Sequence, residues 1–148
     1  MSLHFGLEYE RMPNDEQKDL VQFAADHGVH IVLGHHPHVL QPAAWVKGKN
    51  GQKTLAIYSL GNFLAGQHGL YMQTGGIFSC RINKWFKPNK QVIEVTDPAF
   101  VPTYVKYGQW QPIPLEKLDE KDLPNVKTYY QEINKHMSQW IPDMKHSF

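Results

Sequence analysis

"GVHIVLGHHPHVLQP", residues 28–42, closes a short apolar run with three histidines in four positions. Val29, Ile31, Val32 and Leu33 have the composition of a strand covered on both faces, with His30 inside it. Gly34 is expected to let the backbone turn, so that His35, His36 and His38 arrive together just past the strand's carboxyl end. In open α/β sheets ligands bind at that end. Imidazole is the commonest metal ligand and the usual proton carrier near neutral pH. Pro37 biases the residue before it toward extended geometry, and in an extended chain residues two apart share a face. His36 and His38 are therefore expected to address one ion or one ion pair while His35 points elsewhere.

Upstream, "MPNDEQKDLVQFAADHG" (12–28) reads as a helix. Asn14 can cap it, Gln17 completes a capping box, and Asp15 and Glu16 suit the positive helix end. Leu20, Phe23, Ala24 and His27 recur at helical spacing, and Gly28 is a natural stop. Helix, short turn and buried strand together form an α/β unit. Downstream, residues 42–63 predict a hairpin with Asn50-Gly51 at its tip. Further strands are expected over Gly76 to Ile82, Val92 to Thr96 and Ala99 to Tyr107, with a turn at "KPNK" (87–90). Pro112, Pro114 and Pro124 punctuate an extended connection. The segment from Val126 to Trp140 then predicts an amphipathic helix through Val126, Tyr129, Tyr130, Ile133 and Met137. The pattern is that of an α/β (α+β) fold in one domain, residues 1–148, with mixed strands first and antiparallel strands from about 43 to 107.

Composition narrows the function classes. The chain has 148 residues, 41% hydrophobic and 20% charged, with a net charge of +1. That length suits one domain with a core of its own. A near-neutral chain lacks the concentrated basic face that nucleic-acid backbones require. Lys47 and Lys49, and Lys84, Lys87 and Lys90, read as a solvated hairpin surface. The single Cys80 excludes an internal disulfide and sits in an apolar run, which predicts an inert buried thiol. No apolar stretch reaches the roughly 20 residues that cross a bilayer as a helix.

Three blocks occur in order: "HFGLEY" (4–9), "GHHPHV" (34–39) and "YSLGNF" (58–63). On these blocks, and the helix between the first two, the sequence resembles the bacterial capsule-synthesis protein family CapA. That family is associated with poly-γ-glutamate biosynthesis and carries a calcineurin-like metallophosphoesterase fold. The resemblance runs from about residue 2 to residue 64. It implies a metallophosphatase-like four-layer α/β/β/α sandwich, of which this chain would be the carboxyl-terminal half. It further implies metal ligation by His4, which matches the histidine ending a core strand, and by His36 and His38, which match the terminal Gly-His-x-His element. His35 falls where the family varies. Glu8 is the candidate to orient a histidine or hold substrate, and Asn62, after Gly61, is a candidate polar contact. His27, His30, His68, His136 and His146 have no such context and are expected to be structural or exposed.

The implied cofactor is one or more divalent ions such as Mn, Zn or Fe, since imidazole suits all of them. An ion pair about 3.5 to 4 Å apart normally shares a bridging oxygen ligand. The superfamily draws those carboxylates, and an asparagine, from an amino-terminal half that nothing before His4 matches. The expectation is thus an incomplete domain, weakly active alone, with an exposed sheet edge that pairs with an amino-terminal half or with itself. The substrate implied is a capsule polymer or phosphoester, and the location a cell surface or membrane. Two alternatives stand beside this one: a non-enzymatic assembly module keeping vestigial histidines, and a hydrolase with a single zinc held by His4, His36 and His38.

Overall fold

A computed structural model describes residues 1–88 and 90–147. The chain runs β1 (Ser2–His4), α1 (Asp15–Asp26), β2 (Ile31–His35), β3 (Leu40–Lys47), β4 (Lys53–Leu60), β5 (Thr74–Lys87), β6 (Lys90–Val105), β7 (Pro112–Pro114), a 3-10 turn (Leu115–Lys117) and α2 (Val126–Ser138). One sheet has the order β1-β2-β4-β3 and the other β5-β6-β7. β1, β2 and β4 are mutually parallel, whereas β3 runs antiparallel to β4. The second sheet is antiparallel throughout. This is an α+β fold of mixed and antiparallel strands.

α1 forms for the reasons its sequence shows. Asn14 Oδ1 accepts from the Gln17 amide while Gln17 Oε1 accepts from the Asn14 amide, a complete capping box. Such a cap contributes about 1 kcal/mol. At the other end Gly28 takes φ +82, and the amides of Gly28 and Val29 close on the carbonyls of Ala25 and Ala24. The buried face is one step from the expected one. Gln17, Val21, Ala24 and Ala25 are covered, while Leu20 and Phe23 stand exposed. Val21 and Ala24 pack on Val32, Ala56 and Tyr58 of the sheet.

β4 is the central strand, covered on both faces. Ala56 and Tyr58 face α1, while Leu55 and Ile57 face a larger cluster that includes Phe100 and Tyr104 of β6 and Ile133 and Met137 of α2. Its hairpin with β3 turns at 48–52, where Gly51 has φ +76, as the Asn50-Gly51 pair predicts. β6 is one long strand where two were expected. Asp97 at φ +51 absorbs the irregularity beside Pro98, with the register shift lying opposite at Ser79/Arg81. Position 89 of the expected turn lies outside the described residues. Tyr129, Ile133 and Met137 of α2 are buried as their spacing predicts. Cys80 is half-buried, and burial pushes its thiol up from the ordinary range, which suits an inert group.

β2 differs from expectation where it matters most. It extends through Gly34 to His35, so Gly34 is a strand residue rather than the turn. Its missing side chain is what lets β2 pass β4, because a Cβ there would collide with the Tyr58 carbonyl. Gly34→Ala is expected to cost about 1–3 kcal/mol through overpacking against backbone. Urea unfolding monitored by circular dichroism checks this, and a loss below a few tenths would contradict the contact.

α2 reaches back to the first sheet through His136, whose Nε2–H donates to the Leu40 carbonyl at 3.1 Å. Burial, aided by the Arg11 guanidinium, pushes the His136 pKa down against the opposing effects of that hydrogen bond and Glu132. The unfolded chain then takes up this proton at a higher pH than the folded one. The stabilisation is complete above about pH 6.5 and is lost as pH falls through that value and on through the folded-state pKa. The thermal midpoint is expected to drop on acidification from pH 7 to pH 5, less steeply in His136→Gln; His146, also lowered by burial, supplies the remaining slope.

Candidate metal centre

Parallel pairing brings the first and second histidine blocks to one place. Register sets Ser2 beside Leu33, Leu3 beside Gly34 and His4 beside His35, so β1 and β2 end together. The Phe5 amide donates to the His35 carbonyl at 3.0 Å and holds the two chains side by side past the pairing. His4 and His36 then meet, with ring centroids 4.6 Å apart, and His36 and His38 lie 6.0 Å apart.

The backbone achieves this in a way that the Pro37 reasoning did not foresee. His36 has φ +102 and His38 φ +60, both left-handed rather than extended. The rings converge because the chain coils through Pro37, not because alternate residues share a strand face. Tyr9 is left-handed too, at φ +66, and its amide donates to the Pro37 carbonyl at 2.7 Å. Left-handed backbone in residues other than glycine costs on the order of 1–3 kcal/mol each, and such strain gathers where geometry serves a function.

Glu8 enters from the loop between β1 and α1, which a buried amide pair holds in place. Gln17 Nε2 donates to Gln41 Oε1 at 2.8 Å, and Gln41 Nε2 donates onward to the carbonyls of Glu10 and Met12. Gly6, at φ +97, lies against the Gln17 amide, where a Cβ would come within 2.6 Å. The loop so pinned places Glu8 Oε1 4.0 Å from His38 Nε2. One donor atom each from Glu8, His36 and His38 falls within 4.8 Å of the others, Glu8 being exposed and the histidines half-buried. Two donors at about 2.1 Å from one ion lie at most about 4.2 Å apart. The group is therefore a side-chain adjustment from coordination, and Glu8 is the exposed member able to make it.

Asn62 settles the state of His38. Its Nδ2 donates to Gln67 Oε1 at 2.8 Å and to the Met72 carbonyl at 2.9 Å, which turns Oδ1 toward His38. His38 Nδ1–H donates to that oxygen at 3.0 Å. In the neutral ring this bond selects the Nδ1–H tautomer, which leaves the Nε2 lone pair on the side where Glu8 lies. This is the outer partner that ligating imidazoles normally have. Gln67 Nε2 also reaches the Tyr9 hydroxyl at 3.3 Å, joining the loop after β4 to the loop before α1. Sequence reading identified Asn62 only as a polar contact and missed Gln67, Tyr9 and Gln41, whose residue types carry no signal until the fold joins them.

A carboxylate and two imidazoles make a donor set that fits a single divalent ion with an open position, as in catalytic zinc sites of His2Glu type. Among the described residues this is the group that brings three such donors so close. His4 is placed as a neighbour of His36 rather than as a member of that triplet. Replacing His36 by glycine, which tolerates positive φ, is expected to stabilise the chain by about 1 kcal/mol in chelator while removing a donor. Thermal unfolding in the presence and absence of metal checks both halves, and a destabilised chelated variant would contradict the strain.

Comparison with known proteins falls on this same region. A model of the family described as bacterial capsule synthesis protein PGA_cap matches residues 1–67. The chain is 47% identical over 64 residues to the PGA biosynthesis protein CapA of Bacillus subtilis (strain 168), covering 43% of this chain and 16% of that protein. It is 39% identical over 67 residues to the capsule biosynthesis protein CapA of Bacillus anthracis, covering 45% of this chain and 15% of that protein. The match thus spans about a sixth of the length of these curated relatives. Glu8, His36, His38, Asn62 and Gln67 lie inside the matched stretch, whereas β5, β6, β7 and α2 lie beyond it. Residues 1–67, and so every side chain of the donor group, are similar to the family described as bacterial capsule synthesis protein PGA_cap.

Proposed function

We propose that this chain carries part of the metal-binding site of a capsule or poly-γ-glutamate biosynthesis protein of metallophosphoesterase type, acting on a phosphoester. The observation that carries the reading is the convergence of Glu8, His36 and His38 within 4.8 Å, inside the stretch matched by the family model. A divalent ion held there supplies Lewis acidity and a lowered pKa for coordinated water. The chain's own residues do the rest. His38 offers Nε2 because Asn62 holds its Nδ1–H, and the Glu8 carboxylate contributes the negative charge that balances the cation. His4, ring to ring with His36, is the further imidazole available to the same ion or to a substrate oxygen.

The donor set suits one ion better than two. Glu8 is the one carboxylate of the group, too few oxygen donors to bridge and fill the coordination of two ions, and Asp15, Asp26 and Asp97 stand outside it. Turnover of a generic phosphodiester by this chain alone is accordingly expected to be weak. The alternative of a non-enzymatic assembly module predicts that no ion binds with any specificity for these residues.

Titration calorimetry with Zn and Mn, and elemental analysis, separate the readings. Binding of one ion per chain is expected, abolished in His36→Ala and His38→Ala and sharply weakened in Glu8→Gln. Asn62→Ala should weaken affinity about 10- to 100-fold without removing a ligand, as loss of an outer hydrogen-bond partner does. A chain that binds neither metal, and whose melting ignores chelator, would overturn the metal site and leave the assembly reading.

A further inference from the structure

We propose that the outer end of the β5–β6 hairpin docks on the surface of an anionic lipid bilayer. The paired strands run past the end of β7, and the β6 side of the arm lines a cavity that has His30, Trp45 and the β3–β4 turn on its far side. Val95 is the last well-buried residue of β6 toward the tip, and on β5 the residues from Lys84 to Pro88 are all exposed. At about 3.4 Å per residue, five residues from Val95 to Lys90 project about 17 Å. Apolar side chains stand exposed along this arm behind its polar turn. Phe86 is 74% exposed, Ile82 58% and Trp85 45%.

Three lysines surround these apolar groups. The arm from Ile82 to Val95 carries Lys84, Lys87 and Lys90 against one acidic residue, Glu94, which lies opposite Asn83 at the end nearer the body. Arg81 is excluded from the count because Asp97 pairs with it at 3.3 Å. In the linear sequence the lysines read as a solvated surface, but the hairpin register stacks Lys87 on Lys90 and sets Lys84 beside Ile93. Lys84 Nζ lies over the Phe86 ring, 4.9 Å from its centroid, a cation–π contact.

Amphipathic rings with lysines at their edge suit the interface between headgroups and acyl chains. Apolar residues occupy both faces of the arm: Trp85 opposite Val92 on one, Phe86, Ile82 and Ile93 on the other. A bilayer entered tip-first covers both faces at once, whereas a protein partner would need a slot around the hairpin. A soluble polyanion could meet the lysines, but its carboxylates offer nothing apolar to Phe86. The charge and the exposed rings together favour anionic lipid.

Vesicle co-sedimentation of the full chain tests the proposal, using phosphatidylcholine alone and an equal mixture with phosphatidylglycerol. Binding is expected only to the mixed vesicles and should weaken with added salt. Neutralising Lys84, Lys87 and Lys90 together to Gln should weaken it about a hundredfold, and Phe86→Ser about tenfold or more. All four positions are exposed, so the variants should keep the parent thermal midpoint. A readout on the unaltered tip comes from lipids brominated in their acyl chains, which should quench fluorescence that disappears in Trp85→Phe. Failure to bind the mixed vesicles would overturn the proposal, as would binding insensitive to these substitutions or absence of that quenching. Capture of soluble polyglutamate by the lysines, undiminished in Phe86→Ser and without vesicle binding, would also overturn it and make the tip a polyanion site.

Discussion

Three strands of the first sheet run parallel, and parallel strands deliver their carboxyl ends to one edge. β1 ends at His4, β2 at His35 and β4 at Leu60, and the loops leaving them carry Glu8, His36, His38 and Asn62. The site exists because that edge exists. The narrowest point in holding it is the passage of Gly34 beside the Tyr58 carbonyl, where β2 and β4 approach more closely than a side chain allows. With β2 in that register, His35 still belongs to the sheet and the next residue is the first free to turn. His36 therefore starts the left-handed coil one residue beyond the last strand position.

Polar contacts convert this edge into a defined geometry. The Gln17–Gln41 amide pair is buried, so both amides must be satisfied. They are satisfied by each other, by the α1 cap and by the carbonyls of Glu10 and Met12. A single buried network thus fixes the helix start, the strand after the histidines and the loop that carries Glu8. Asn62 does the same on the other side, binding His38, Gln67 and Met72 at once. The left-handed φ values at Tyr9, His36 and His38 persist because these contacts over-determine the loops around them.

The two ends of the molecule differ in kind. At the sheet edge, half-buried imidazoles are oriented by amides and match the family region. At the far end of β5 and β6, exposed rings and lysines stand beyond that region, with the β3–β4 turn across a cavity from β6. The first arrangement is fixed by hydrogen bonds among its loops, whereas the second is the exposed end of a two-stranded arm.

Local chemistry made several elements legible from sequence. The capping box at Asn14 and Gln17, the Gly28 stop, the Asn50-Gly51 turn and the spacing along α2 each depend on residues within one or two turns, so no distant contact is needed to read them. The three ordered blocks likewise pointed to His4, Glu8, His36, His38 and Asn62 as neighbours before any coordinates. What sequence misjudged were quantities set by neighbours far along the chain. Leu20 and Phe23 are exposed because α1 turns its Val21 and Ala24 face to the sheet. β6 continues through Asp97-Pro98 because β5 pairs with it on both sides of the irregularity. His36 and His38 are left-handed, and Glu8 joins them ahead of His4, because loops pinned by Gln41 and Asn62 decide their directions. Sequence alone determined which residue types and local turns were present; tertiary structure decided which side chains meet, since a donor's direction is the sum of backbone angles that only long-range packing and buried hydrogen bonds select.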